Sequence, residues 1–210
     1  MSVFEGFTGR KERSANNRFQ RTALRAAAEP GRWALEIEML SRRILALLVL
    51  FLSGCVGIPK NVTPISNFNL EKYLGKWYEI ARLDHSFERG LTKVTADYSL
   101  RNDGGVRVLN RGYSEKDAKW KELEGRAYFV QQPDIGYLKV SFFGPFYGSY
   151  VIFELDHEGY QYSLVCGPDK SYLWILARGT EIDDDLKKVL VGKAATLGFD
   201  TNRLIFVKHQ

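Results

Sequence analysis

Beyond residue 66 the chain alternates between apolar and polar positions. From Lys93 to Leu100 the residues Val94, Ala96, Tyr98 and Leu100 interleave with Lys93, Thr95, Asp97 and Ser99. An extended backbone therefore puts all four apolar groups on one face. Comparable runs predict strands at Lys76 to Leu83, Val106 to Tyr113, Trp120 to Phe129, Tyr137 to Phe143, Tyr150 to Asp156, Tyr160 to Cys166 and Tyr172 to Arg178, which makes eight in all. Turn-forming residues stand between them, as in Asn102-Asp103-Gly104-Gly105, Gln132-Pro133-Asp134, His157-Glu158-Gly159 and Gly167-Pro168-Asp169-Lys170. Short links between successive strands predict an all-β fold, an eight-stranded antiparallel up-and-down meander closed into a barrel. Closure removes the exposed edges, and a barrel of this size has room for one small ligand.

One segment departs from the period of two. Between Asp183 and Leu197 the residues Leu186, Val189, Leu190, Ala194 and Leu197 fall at helical spacing, with three aspartates at the start and Gly198 after the end. This predicts a C-terminal helix whose apolar stripe packs on the outside of the barrel. Leu204 to Val207 is expected to add a short closing strand.

A different pattern precedes the barrel. Ile44 to Leu52 is an unbroken apolar run of nine residues, flanked by Arg42-Arg43 and Ser53-Gly54-Cys55. A bilayer-spanning helix needs about 20 apolar residues. A charged start, a short apolar run and small residues at a cleavage point describe a secretory signal instead. Met39 opens a compact signal over residues 39–54, so the expected start of translation is Met39, with a genuine Arg-rich extension over residues 1–38 as the alternative. Val56 to Ser66, with Pro59 and Pro64, reads as a tether, and 67–210 as the barrel domain.

Charge changes the picture little. Residues 1–54 hold 9 Lys/Arg and 5 Asp/Glu, and residues 55–210 hold 21 and 20, so the net charge of +5 sits mostly in the leader. The barrel carries no basic stripe of the kind a phosphate backbone needs, which argues against nucleic acid as a partner. The two cysteines, Cys55 and Cys166, and three scattered histidines, His85, His157 and His209, form no metal-ligand spacing, and the histidines are expected on surface loops. No metal and no cofactor is expected.

Gly75-Lys76-Trp77 at the start of the first strand and Arg178 at the end of the eighth, with one late helix, resemble the lipocalin family. The longer runs Tyr73-Leu74-Gly75-Lys76-Trp77-Tyr78-Glu79-Ile80-Ala81-Arg82, Phe87-Glu88-Arg89-Gly90, Gly144-Pro145-Phe146-Tyr147-Gly148 and Tyr172-Leu173-Trp174-Ile175-Leu176-Ala177-Arg178 resemble the bacterial lipocalins, outer-membrane lipoproteins related to apolipoprotein D. The family's Thr-Asp-Tyr motif keeps only its aspartate, in Leu155-Asp156-His157. The resemblance implies that Trp77 forms the barrel floor with Arg178 packed across it. Leu52-Ser53-Gly54-Cys55 resembles a lipoprotein signal, which implies lipidation of Cys55 and, with Val56 rather than aspartate next, a lipid-anchored position on the periplasmic face of the outer membrane. The implied ligands are fatty acids or lysophospholipids, stored or transported for membrane maintenance under stress, with a homodimer also implied.

With Trp77 and Arg178 at the floor, the loops around Phe87 to Gly90, Ser114 to Ala118, Gly144 to Gly148 and Gly167 to Lys170 fall at the open end. There Arg89 is a candidate for an anionic head group. Parity gives inward candidates Ala81, Ala96, Tyr98, Val108, Asn110, Leu123, Ala127, Leu138, Val140, Phe142, Trp174 and Leu176. The expected ligand contacts are Trp174, Tyr147, Phe146, Asn110, Tyr98, Val108, Leu138, Val140 and Phe142. Glu79 shares their inward parity, and a buried carboxylate is costly unless paired. Two rival readings are a barrel filled by its own side chains, against which the small inward alanines argue, and a lipid-modifying enzyme using Cys166, which has no nucleophile-base arrangement beside it.

Overall fold

The computed structural model describes residues 56–210 and, in the leader, the helical residues Ile37, Met39 and Leu40. The Ile44 to Leu52 run and Cys55 lie outside the described residues. A short helix α1 (Leu70–Tyr73) precedes eight strands: β1 (Gly75–Arg82), β2 (Leu91–Leu100), β3 (Val106–Ser114), β4 (Lys119–Phe129), β5 (Tyr137–Phe143), β6 (Phe146–Leu155), β7 (Tyr162–Cys166) and β8 (Leu173–Ala177). Then come α2 (Asp184–Thr196), a 3-10 turn (Thr201–Arg203) and β9 (Ile205–Phe206).

Each strand pairs antiparallel with the next, and β1 pairs with both β8 and β2, which closes the barrel. Gly75 to Tyr78 pair with β2, Tyr78 to Arg82 pair with β8, and β9 joins β1 at Ala81 and Arg82. The closing strand expected at Leu204 to Val207 is therefore present, reduced to two residues.

The meander departs from plain alternation at register shifts. One lies in β1 between Glu79 and Ala81, another in β6 between Ile152 and Glu154. The β1 shift corrects the expectation for Ala81: the residue joins the outer core, and Arg82 is aimed inward instead. An extra residue flips every later side chain to the other face, and apolar alternation alone cannot register it.

Two packed layers result. Outside the wall, Leu164, Cys166, Leu173 and Ile175 form one core with Leu190 and Ala194 of α2. The helix is held at its start by Asp183, whose side chain accepts from the amides of Asp185 and Leu186. Inside, Phe68, Tyr73, Trp77, Tyr98, Ala127, Leu138, Ile152 and Val165 form a second core at the closed end. The stretch expected as a tether is laid against the barrel. Gly57 donates to Ser149 Oγ at 2.8 Å, Ile65 pairs with Ile152 and Gly136, and Val62 is buried.

Candidate functional site

The floor is built around Trp77, which is fully buried. Its indole nitrogen donates to Tyr73 O at 2.8 Å, and the Tyr73 ring lies 4.6 Å from its own. The Arg178 guanidinium sits 4.1 Å from the Trp77 ring, a cation-π contact worth about 0.5–2 kcal/mol. The same guanidinium donates to Lys72 O, Lys76 O and Tyr160 O, so it ties α1, β1 and the β6–β7 turn together. Gly75 supports this corner with φ of +86°, a left-handed conformation that side chains rarely adopt. Asp156 of the altered motif keeps its turn in shape by accepting from the amides of Glu158, Gly159 and Gln161.

Above the floor the Tyr150 hydroxyl stands 2.8 Å from both the Tyr73 and Tyr98 hydroxyls. Burial pushes the Tyr73 phenol up to about 12 and those of Tyr98 and Tyr150 up as well, so the trio stays neutral. Over it opens a cavity of about 410 Å³, within the size range of small-molecule sites. Phe87 and Glu88, Phe143 and Phe146, and Gly167 and Pro168 lie along its border. All lie in or at the ends of strands beside connections at the end opposite Trp77, so the cavity opens there.

The upper wall holds a buried polar cluster. Arg82 Nη1 donates to Glu79 Oε1 at 2.6 Å, and Nη2 donates to Glu88 O at 2.9 Å. Trp174 Nε1 donates to Glu88 Oε2 at 3.2 Å. The Glu79 carboxyl lies near enough to Glu88 to feel its charge. Burial raises both, and the nearby Glu88 charge adds to the rise of Glu79, to about 8. His85 stacks on Phe87 at 4.4 Å, and burial followed by the Arg82 charge lowers it to about 4. The inward carboxylate that the sequence made expensive is thus paired with Arg82, and burial favours its protonated form.

Of the expected ligand contacts, Trp174, Asn110, Tyr98, Val108, Val140 and Phe142 line the cavity, as do Ala96, Leu123 and Leu176. Phe142 reaches its place because Gly125 leaves room: a Cβ there would meet the Phe142 ring at 2.7 Å. Phe146 stands exposed on the rim. Leu138 and Ala127 lie lower, packed with Phe68 and Tyr73 in the floor. Tyr147 borders the cavity, but its ring is turned to the outer surface, where Arg126 donates to its hydroxyl at 3.0 Å and Lys139 lies over its face. The loop expected at Gly144 to Gly148 is a tight turn, so Phe146 and Tyr147 already belong to β6 and take opposite faces.

Two further expectations are corrected. Arg89 is bound by Asp84, with Nη2 2.7 Å from Asp84 Oδ2. His85 is buried rather than on the surface, because the loop after β1 folds back over the wall. The rival reading of Cys166 as a nucleophile gains no support: the residue faces the outer core, and burial pushes its thiol up to about 12. Glu88, Tyr73 and Tyr150 were not singled out by the sequence. Tyr150 alone had a signal, since it pairs with inward Leu138.

The profile of the Lipocalin-like domain matches residues 68–209. The chain is 58% identical over 166 residues to the outer membrane lipoprotein Blc of Vibrio cholerae, covering 79% of this chain and 97% of that protein. It is 53% identical over 151 residues to the outer membrane lipoprotein Blc of Escherichia coli K12, covering 72% of this chain and 85% of that protein. The structure is similar to that of insecticyanin from Manduca sexta, with a TM-score of 0.58 at 22% identity, covering 73% of this chain and 87% of that one.

Proposed function

The chain belongs to the lipocalin family, and on that premise we propose that it is a lipid carrier of the outer membrane that holds one acyl chain in the barrel. The observation that carries this reading is the cavity of about 410 Å³, lined mostly by apolar side chains above the packed floor around Trp77. Burying a chain of about 16 carbons contributes roughly 12 kcal/mol gross at about 0.8 kcal/mol per methylene. Association and ordering costs offset much of it, which leaves micromolar or better affinity. The protein acts by binding and not by catalysis, and the burial of Cys166 supports that side of the reading.

Fatty acids and lysophospholipids are the proposed ligands, held for membrane maintenance under stress. Relatives named outer membrane lipoproteins support the address. Cys55 is the proposed lipid attachment point, reached from a signal over residues 39–54. Labelled palmitate should enter the protein in cells and should not enter Cys55→Ala. Native mass spectrometry of the purified protein tests the carrier itself. A saturable 1:1 adduct with a single-chain lipid is expected, and a folded barrel that takes up no lipid would favour a purely structural envelope role.

A further inference from the structure

The two ends of the barrel are finished with different side chains. At the mouth Phe87, Phe143 and Phe146 stand half or more exposed, and all three border the same cavity. The stretch from Phe142 to Gly148 carries no charged residue, and Phe143-Gly144-Pro145-Phe146 at its tip is exposed throughout. At the closed end the turns are polar, Arg101-Asn102-Asp103-Gly104 and His157-Glu158-Gly159. The exposed apolar side chains there, Leu100 and Val130, belong to β2 and to the residue after β4, strands that are not neighbours in the sheet. Single exposed apolar residues are ordinary on any surface, whereas rings gathered around one opening mark contact with an apolar partner.

The path of the N-terminal segment identifies that partner. Phe68 donates to Asp134 O at 2.8 Å, in the turn between β4 and β5 at the closed end. Followed backwards from there, the segment climbs the outside of the wall. Ile65 donates to Ile152 O and accepts from Gly136, Val62 is buried in the outer core, and Gly57 donates to Ser149 Oγ at 2.8 Å. At Gly57 the chain has reached the turn between β7 and β8, with Pro168 O 4.0 Å from the position a Cβ would take. Pro168 itself borders the mouth. Two residues of chain span at most about 7 Å, so acyl chains carried on Cys55 leave the protein beside the mouth and not beneath the floor. The segment expected as a free tether is laid along the wall, and no length remains to turn the barrel over.

An anchor at that end brings the mouth to the bilayer surface, where aromatic rings settle at the level of the head groups. The charged side chains around the mouth are paired with opposite signs, Arg89 with Asp84 and Lys121 with Asp117, so the contact depends on the rings rather than on lipid charge. We propose that the open end of the barrel docks on the phospholipid bilayer that anchors the protein, with Phe87, Phe143 and Phe146 among the head groups. The proposal rests on the anchor at Cys55 and gives the anchored barrel an orientation. With its mouth against the bilayer, the barrel takes up a single-chain lipid from the leaflet it stands on, and a chain of about 16 carbons avoids the cost of crossing water.

The test places a fluorophore at either end of the full-length protein, made with its acyl anchor and reconstituted into vesicles of phosphatidylethanolamine and phosphatidylglycerol that carry a nitroxide quencher at head-group level. Phe146→Cys puts the label at the mouth and Leu100→Cys puts it beside the closed-end turn; both side chains are exposed, and Cys166 is buried. The label at 146 should lose most of its emission to the quencher, and the label at 100 should keep most of its own. Raising the salt concentration should leave this difference in place, and adding Phe143→Asp should restore emission at 146. Equal quenching at both ends, quenching at 100 alone, or none at either would overturn the proposal and leave the anchor standing. Shielding of the 146 label from aqueous iodide that follows protein density and not lipid would give the mouth to a second copy and overturn it as well. Protein that does not enter the vesicles would overturn the anchor and this inference with it. Both labels are read on barrels that keep Phe87 and Phe143, so the comparison holds whether or not Phe143→Asp folds.

Discussion

The barrel wall has two apolar faces, and they are filled differently. Outward from β7 and β8, Leu164, Cys166, Leu173 and Ile175 are sealed beneath Leu190 and Ala194 of α2. Inward, Trp174 and Leu176 of the same β8 border open space together with Val108, Val140 and Phe142. The side chains are of the same kind on both faces. What separates core from site is whether an element covers the face, and among the described residues none covers the inner face above the tyrosine trio. The two faces should therefore answer substitution in opposite ways.

The largest effect belongs to the sealed face. Leu190→Ala removes a fully buried side chain and should lower stability by about 2–5 kcal/mol in denaturant titration, with lipid affinity of the folded fraction unchanged. Trp174→Ala should reverse the order. Its ring borders the cavity, so a smaller stability loss of about 1 kcal/mol should accompany a roughly tenfold weaker lipid affinity.

A third effect separates the polar cluster from both. Glu79 keeps its proton up to about pH 8 in the fold, whereas the unfolded chain loses it near its ordinary 4.5. Its contribution is full below 4.5 and declines as the pH rises through 8. His85, lowered from 6.5 to about 4, contributes in the opposite sense between those values. The two oppose each other up to about pH 6.5, and above it only the acid remains. Stability should fall from pH 6.5 to pH 8 by on the order of 1 kcal/mol, and in Glu79→Gln this fall should be much reduced. The smallest effect is chemical silence: Cys166 should resist alkylation in the folded protein and react fully after denaturation, as measured by intact mass.

The strands and the outer helix were legible because alternation of two and spacing of 3.6 are written in local sequence. Trp77 and Arg178 were legible because the lipocalin resemblance implies that they form the floor, and their positions at the two ends of the meander agree with it. Ala81 was misplaced because the bulge after Glu79 depends on pairing with β8, which no local pattern records. Tyr147 was misplaced because a turn as tight as Gly144-Pro145 returns the chain to strand at once, and strand geometry sends Phe146 and Tyr147 to opposite faces. Glu88 and His85 lie on a folded-back loop with no periodicity, and only three-dimensional closure brings them to Glu79 and Trp174. Charge alone would have left both on the surface.

The most direct test of the central claim is methyl NMR of the protein as a single-chain lipid is added. Resonances of Val108, Leu123, Val140 and Leu176 should shift and saturate together at one equivalent, while those of Leu164, Ile175 and Leu190 stay in place. Shifts confined to the outer set, or none in the inner set at saturating lipid, would contradict a ligand held inside the barrel.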